Sequence, residues 1–223
     1  MSAKSFPNDP LFGDQWHLNN SGQTGGQTGE DANVTGVWNS YNGSGVVISV
    51  IDDGVDHDHP DLNPNYLSSY SYDWCGDDPD PEPTSSQPHG TAVAGVAAGV
   101  GNNDLDIVGA AYGAGIAGHK LIACGFSGST EASALSYSND NIDIYSNSWG
   151  PSDTGDVLSG PGPITIAAIE NSVYNGRSGL GNIYTWAAGN GLTSEDNSNK
   201  DGYALSLIHI SEPTRLGMIS YAV

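Results

Sequence analysis

The stretch "GVVISVID", Gly45 to Asp52, decides how the rest of the chain reads. Its apolar residues are nearly all β-branched and run continuously instead of alternating, which marks a strand covered on both faces, as in a buried parallel sheet. Before it, residues 1–45 are polar and turn-rich. After it, residues 53–88 are irregular and rich in Asp and Pro. From His89, "HGTAVAGVAAG" reads as a helix, with Ala92, Val93, Val96, Ala97 and Val100 at helical spacing and Gly99 and Gly101 as stop signals. "AGHKLIA" (117–123), "DIYSNS" (143–148) and "NIYTWAA" (182–188) read as strands. "GPITIAAIENSVYNG" (162–176) reads as a helix, with Pro163 near its start and Gly176 after its end. Strand and helix alternate, so an α/β architecture with a mainly parallel sheet is predicted. Ligands in such sheets bind beyond the carboxyl ends of the strands.

The chain has 223 residues and 37% apolar content, enough for one domain with a real core. No apolar run approaches the ~20 residues of a membrane-spanning helix. The first residues hold no apolar signal-peptide core, so either export is absent or its signal lies outside the chain. Twenty-six acidic residues face five basic ones, a net charge of −21. Phosphate would be repelled, which excludes a nucleic-acid partner. Most of these carboxylates read as a solvated surface, while some could hold hard cations or receive a cationic substrate. Cys75 and Cys124 could bridge or stay free, and their spacing fits neither a redox nor a zinc motif.

Three polar residues stand at the predicted element ends. Asp52 ends the strand in "VIDDG", His89 opens the helix in "HGT", and Asn190 lies in "WAAGNG", a glycine-flanked turn after a strand. A carboxylate beside an imidazole makes an oriented general base, and an amide on a tight turn suits donation to a developing oxyanion.

Asp before His is the order in which subtilisins present their triad. The motifs "NDPLFGDQWHL", "VISVIDDGVDHDHPDL", "HGTAVAGVAAG", "YSNSWGPSDTG", "GRSGLGNIYTWAAGNG" and "NSNKDGYA" follow one another over roughly residues 7–204. Through them the chain resembles the subtilisin-like serine proteases, and within them the kexin/furin group, which is distinguished by the double Asp of "DDG" and the Pro after "SWG". The resemblance implies a three-layer subtilisin-like α/β fold, incomplete here because a C-terminal part is missing. It implies a secreted or extracytoplasmic, monomeric, calcium-dependent endopeptidase cleaving polypeptides after basic residues. Asp52 would be the triad carboxylate, His89 the general base and Asn190 the oxyanion donor. Asp153 and Asp201 would line the pocket for the basic side chain, with Asp53 and Glu131 facing residues upstream. Ser86 and Ser159 stand where the group carries acids, which relaxes the expectation of dibasic selection. Asp9, Asp61 and Asn103, with carbonyls of Val100, Leu105 and Ile107, would hold one Ca2+. Asp73, Asp78 and Asp80 would hold a second, and Asp153 with Asp196 part of a third.

The resemblance ends at Ala204. No Gly-Thr-Ser nucleophile motif occurs in the chain, and "LSLIHISEPTRLGMISYAV" (205–223) is similar to a forward translation of synthetic sequencing-adapter DNA. Residues 1–204 are therefore read as the N-terminal portion of a catalytic domain and 205–223 as a non-native tail. On this reading the sequence is a gene fragment open at both ends, and the chain itself is expected to be inactive. Two rival readings are a non-catalytic calcium-binding pseudoprotease and a metal-dependent hydrolase using Asp52, Asp56, His57 and His59 of "DDGVDHDH".

Overall fold

A computed structural model describes residues 6–156, 158–198 and 201–203. The tail 205–223 lies outside the described residues. "VISVID" forms the central strand β1, Val47–Asp52. Around it stand β2 (Tyr72–Asp73), β3 (Gly115–Lys120), β4 (Ile144–Asn147) and β5 (Ile183–Trp186), in the sheet order β2-β3-β1-β4-β5. Every neighbouring pair is parallel.

Helices cover both faces. Ile48 and Val50 of β1 pack with Ile116 and with Ala94 and Ala98 of α1, His89–Ala98. Ile51 faces the other way, into a cluster with Ala134 of α2 (Gly128–Ala134), Leu135, Tyr145 and Ile169 of α3 (Pro163–Gly179). The period-two alternation along one strand thus divides its residues between two apolar layers, and the result is a three-layer α/β fold.

The chain leaves β1 for β2 and returns through α1 to β3, and leaves β4 through α3 for β5, so the two paths run to opposite sides of β1 and β4. The carboxyl ends of β1 and β4 therefore flank a topological switch point, the place where open parallel sheets bind ligands. Asp52 sits at that end of β1, and Trp149, just past β4, donates its indole N–H to the Ile51 carbonyl at 2.9 Å.

Three predicted features are corrected. The buried face of α1 is Gly90, Ala94, Gly95 and Ala98, while Val96 is exposed and Val93 and Ala97 only border the core. The helix lies so close to the sheet that its smallest residues face it: a Cβ on Gly90 would stand 2.2 Å from the Gly54 carbonyl oxygen. Strand β3 begins at Gly115 and ends at Lys120, because the Leu121 and Ile122 N–H groups both turn onto the Asp52 carbonyl, at 2.9 and 3.1 Å. Gly176 does close the regular part of α3, where φ/ψ leave the helical region from Gly176 to Ser178. The third correction concerns residues 53–88, which hold the short strand β2. The sequence left Cys75 and Cys124 open, and they form a disulfide that ties the loop after β2 to the loop after β3.

Candidate active site

His89 Nδ1 lies 2.9 and 3.0 Å from the two carboxylate oxygens of Asp52. Asp52 is fully buried, whereas the His89 side chain is 56% exposed. Burial lifts the Asp52 carboxyl above its ordinary range, and the bond to His89 opposes that rise. The same bond, against a smaller pull from burial, lifts the imidazole above its ordinary value, so the ring accepts a proton readily. Because Asp52 holds Nδ1, the opposite ring nitrogen remains for chemistry.

Asp53 fixes the backbone of the base. Its carboxylate accepts the His89 N–H at 3.2 Å and the Gly90 N–H at 2.7 Å, satisfying donors that the helix start leaves orphaned. Pro88, at the N-cap, offers no side-chain cap. The sequence reading assigns Asp53 only to substrate, and this capping role adds to it.

Asn190 is exposed in the loop after β5, preceded by Gly189 at φ +85°. Two strand spacings separate β5 from β1, so Asn190 and Asp52 lie past the same sheet end, on the order of 10 Å apart across the sheet. The loop presses on two of the acids. A Cβ on Gly189 would lie 2.6 Å from Asp153 Oδ1, and one on Gly191 would lie 2.5 Å from Asp196 Cβ and 2.9 Å from Asp153 Cβ. Asp201 approaches Gly150 of the same region and accepts the Tyr203 N–H at 2.7 Å. Asp153, Asp196, Asp201 and Asn190 therefore gather at one end of the sheet. Glu131 is buried, and its two oxygens accept the Tyr203 hydroxyl at 2.6 Å and the Thr165 hydroxyl at 2.9 Å. It is the least available of the four substrate candidates.

Sequence reasoning missed the aromatic wall beside these acids. Tyr203 stacks on Trp186 at 4.9 Å and meets Trp149 edge-on at 5.5 Å. Only the nearness of Trp149 and Trp186 to predicted strand ends could have signalled it.

The residues assigned to the first calcium site converge. Asp9 and Asp61 are both buried and have no Lys, Arg or His partner among the described ion pairs. Asp9 accepts the Asn102 N–H at 2.9 Å, and Asp61 accepts the Asn103 amide at 2.8 Å and the Ile107 N–H at 3.3 Å. Burial first, and then the charges of Asp106 and Asp9, push Asp61 upward. Two buried carboxylates wrapped by the loop carrying Val100, Leu105 and Ile107 make an oxygen-rich donor set that fits a hard cation. The second trio is less compact. Asp73 holds the Cys75 and Gly76 N–H groups and pairs with Lys120 at 3.3 Å, while Asp78 accepts the Asp80 N–H and Asp80 turns to His57.

The metal-hydrolase reading is corrected. Among the described residues, Asp52, Asp56, His57 and His59 do not meet at one point. Asp52 faces His89, His57 faces Asp80, and His59 Nδ1 accepts the Asp61 N–H at 3.2 Å. The segment turns instead of extending, so alternate side chains diverge.

The profile of the Subtilase family matches residues 43–209, and the chain belongs to that family. Within it the chain is a kexin/furin-like subtilase. It is 44% identical over 215 residues to the PC3-like endoprotease variant B of Hydra vulgaris, covering 95% of this chain and 30% of that protein. It is 45% identical over 210 residues to neuroendocrine convertase 2 of Bos taurus, covering 92% of this chain and 33% of that one. Among solved structures, the serine protease of Aeromonas sobria superposes with a TM-score of 0.71 at 31% identity, over 86% of this chain and 34% of that one. The fold is subtilisin-like. The chain spans about a third of the length of these curated relatives.

Proposed function

We propose that the protein is a serine endopeptidase that cleaves polypeptides after basic residues, and that this chain carries its acid–base machinery. The observation that carries the reading is the contact of His89 Nδ1 with both oxygens of buried Asp52. In this reading Asp52 holds the tautomer and stabilises the imidazolium, His89 takes the proton of an attacking hydroxyl and returns it to the leaving amine, and Asn190 donates to the oxyanion. Asp153 and Asp201 receive the basic side chain, Asp53 faces the residue before it, and Glu131 serves further upstream once Tyr203 releases it. Carboxylates against an aromatic wall are a suitable setting for a desolvated arginine or lysine.

Asp9, Asp61 and Asn103, with the carbonyls of Val100, Leu105 and Ile107, would hold Ca2+. Asp73, Asp78 and Asp80 would hold a second ion once Asp80 turns from His57, and Asp153 with Asp196 part of a third. The ion's contribution is to neutralise buried carboxylates and pin loops, and no proton transfer passes through it. Secretory-pathway residence is supported by the Cys75–Cys124 disulfide. A net charge of −21 argues against a nucleic-acid partner, and we take the working unit to be a monomer.

Residues 1–204 are proposed as catalytic-domain sequence and 205–223 as foreign to it, and the chain as it stands is proposed to be inactive for want of a nucleophile. Two experiments test these points. A fluorophosphonate should label the product of the gene resequenced past Ala204 but leave this chain unlabelled. That product should cleave an arginyl fluorogenic peptide and lose the activity on His89→Ala. A resequenced gene lacking the nucleophilic serine would instead support the calcium-binding pseudoprotease.

A further inference from the structure

The loop after β1 and the loop leading to α1 meet at side chains the acid–base pair does not use. His57 Nε2 lies 3.0 Å from Asp80 Oδ1 and 3.5 Å from Glu82 Oε2. One ligand atom from each of the three falls within 4.8 Å of the others, the one such grouping among the described residues. The ring is held in place by stacking on Tyr66, with centroids 4.9 Å apart and planes at 24°. Its other nitrogen lies 3.5 Å from Asp58 Oδ1. Glu82 Oε2 is buried and has no hydrogen-bond partner among the described residues. The Glu82 carboxylate takes the His57 backbone N–H, but its Oε2 is shielded from solvent and faces only the His57 ring nitrogen at 3.5 Å, a place where a cation would satisfy both. Lys120 does not supply one to that oxygen: its ammonium donates to the Glu82 backbone carbonyl at 2.9 Å and pairs with Asp73.

We infer that His57 Nε2, Asp80 Oδ1 and Glu82 Oε2 form a binding site for a divalent transition cation of the zinc class, with Asp58 orienting the ring from behind. Zinc–nitrogen and zinc–oxygen bonds of about 2.0–2.2 Å set neighbouring ligands of a tetrahedral site about 3.4 Å apart, and the two measured separations bracket that edge. An imidazole nitrogen selects against calcium and magnesium, which take all-oxygen shells. A carboxylate behind the coordinating imidazole is the usual outer partner of such a ligand. Asp80 and Glu82 are 63% and 43% exposed, so the cation enters from solvent and a water completes the shell. On binding, the Nε2 proton leaves to solvent, and the remaining N–H points to Asp58. The site joins the loop that carries Asp53 to the loop that ends at His89, and its cation would fix the approach to the catalytic pair.

Zn2+ titrated calorimetrically into the full chain in calcium-free buffer tests the assignment. One Zn2+ should bind with release of a proton, and Co2+ in its place should give a visible absorption band. His57→Gln and Glu82→Gln should each weaken binding by tenfold or more with unchanged circular dichroism, and His59→Gln should have no effect. Added Ca2+ should weaken Zn2+ binding, since the calcium trio draws Asp80 away from His57, and the thermal response to Ca2+ should persist in His57→Gln. Absence of Zn2+ binding, or equal affinity in the His57→Gln and Glu82→Gln variants, overturns the proposal.

Discussion

His89 is placed by two adjacent carboxylates that divide the work. Asp52 holds the ring, and Asp53 holds the backbone that carries it. Their proximity to His89 was legible because a carboxylate at a strand end and a histidine at a helix start both point to the carboxyl end of a parallel sheet. The capping by Asp53 was not legible, since its donors lie 36 and 37 residues away. In the intact gene product, Asp52→Asn should lower kcat on a peptide substrate by roughly 10⁴-fold through loss of the tautomer. Because Asp52 raises the imidazole pKa, the neutral base forms only as pH climbs through a value above the ordinary ~6.5, and kcat/KM should rise over that window. A midpoint below 6.5 would contradict the geometry. Gly90→Ala should cost about 3 kcal/mol or more in a denaturation experiment, because the new methyl meets the Gly54 carbonyl, which is backbone and cannot swing aside.

Among the elements, the long apolar ones were legible, and the short or close-packed ones were not. Strand β1 announces itself by composition, whereas β2 has two residues and α2 is seven mostly small or polar residues, so neither carries a full period of pattern. Helix α1 was recognised from its apolar spacing, but the positions at that spacing are not its buried face, because close approach to the sheet favours glycine and alanine there. Strand β3 hides a further feature. His119 within it is wholly buried, taking the Trp74 indole N–H on Nδ1 at 3.2 Å and giving its Nε2–H to the Tyr70 carbonyl at 2.9 Å. Burial lowers its pKa to about 4. The folded state thus refuses a proton that the unfolded chain takes below ~6.5. Stability should fall between pH 6.5 and 4 by about 3 kcal/mol, a slope that His119→Leu should flatten in acid denaturation. The disulfide linking the loops after β2 and β3 closes a 49-residue separation, and reduction should cost up to about 4 kcal/mol by chain entropy. Unchanged melting after reduction would show the link to be dispensable.

At the scale of the whole molecule, the layers and the switch point followed from the alternation of elements, but the gathering of acids did not, since it depends on how the irregular loops after β4 and β5 fold against each other. Chelation with EGTA should lower the melting temperature, and Asp61→Asn should remove much of that response, as scanning calorimetry can follow. The ion pairs described above carry a broader consequence. Lys120 and Arg177 are the basic residues among those described, and each is already engaged, with Asp73 and with Asp143 at 2.8 Å. Among the described residues, the remaining carboxylates have no ammonium or guanidinium left to answer them. Such a polyanion leans on its solvent for cohesion. Raising ionic strength from 0.01 to 0.15 M shortens the Debye length from about 30 to about 8 Å and quiets that repulsion. Added monovalent salt should therefore raise the melting temperature of this protein, and the medium becomes, in effect, a counterion shell that completes the fold from outside.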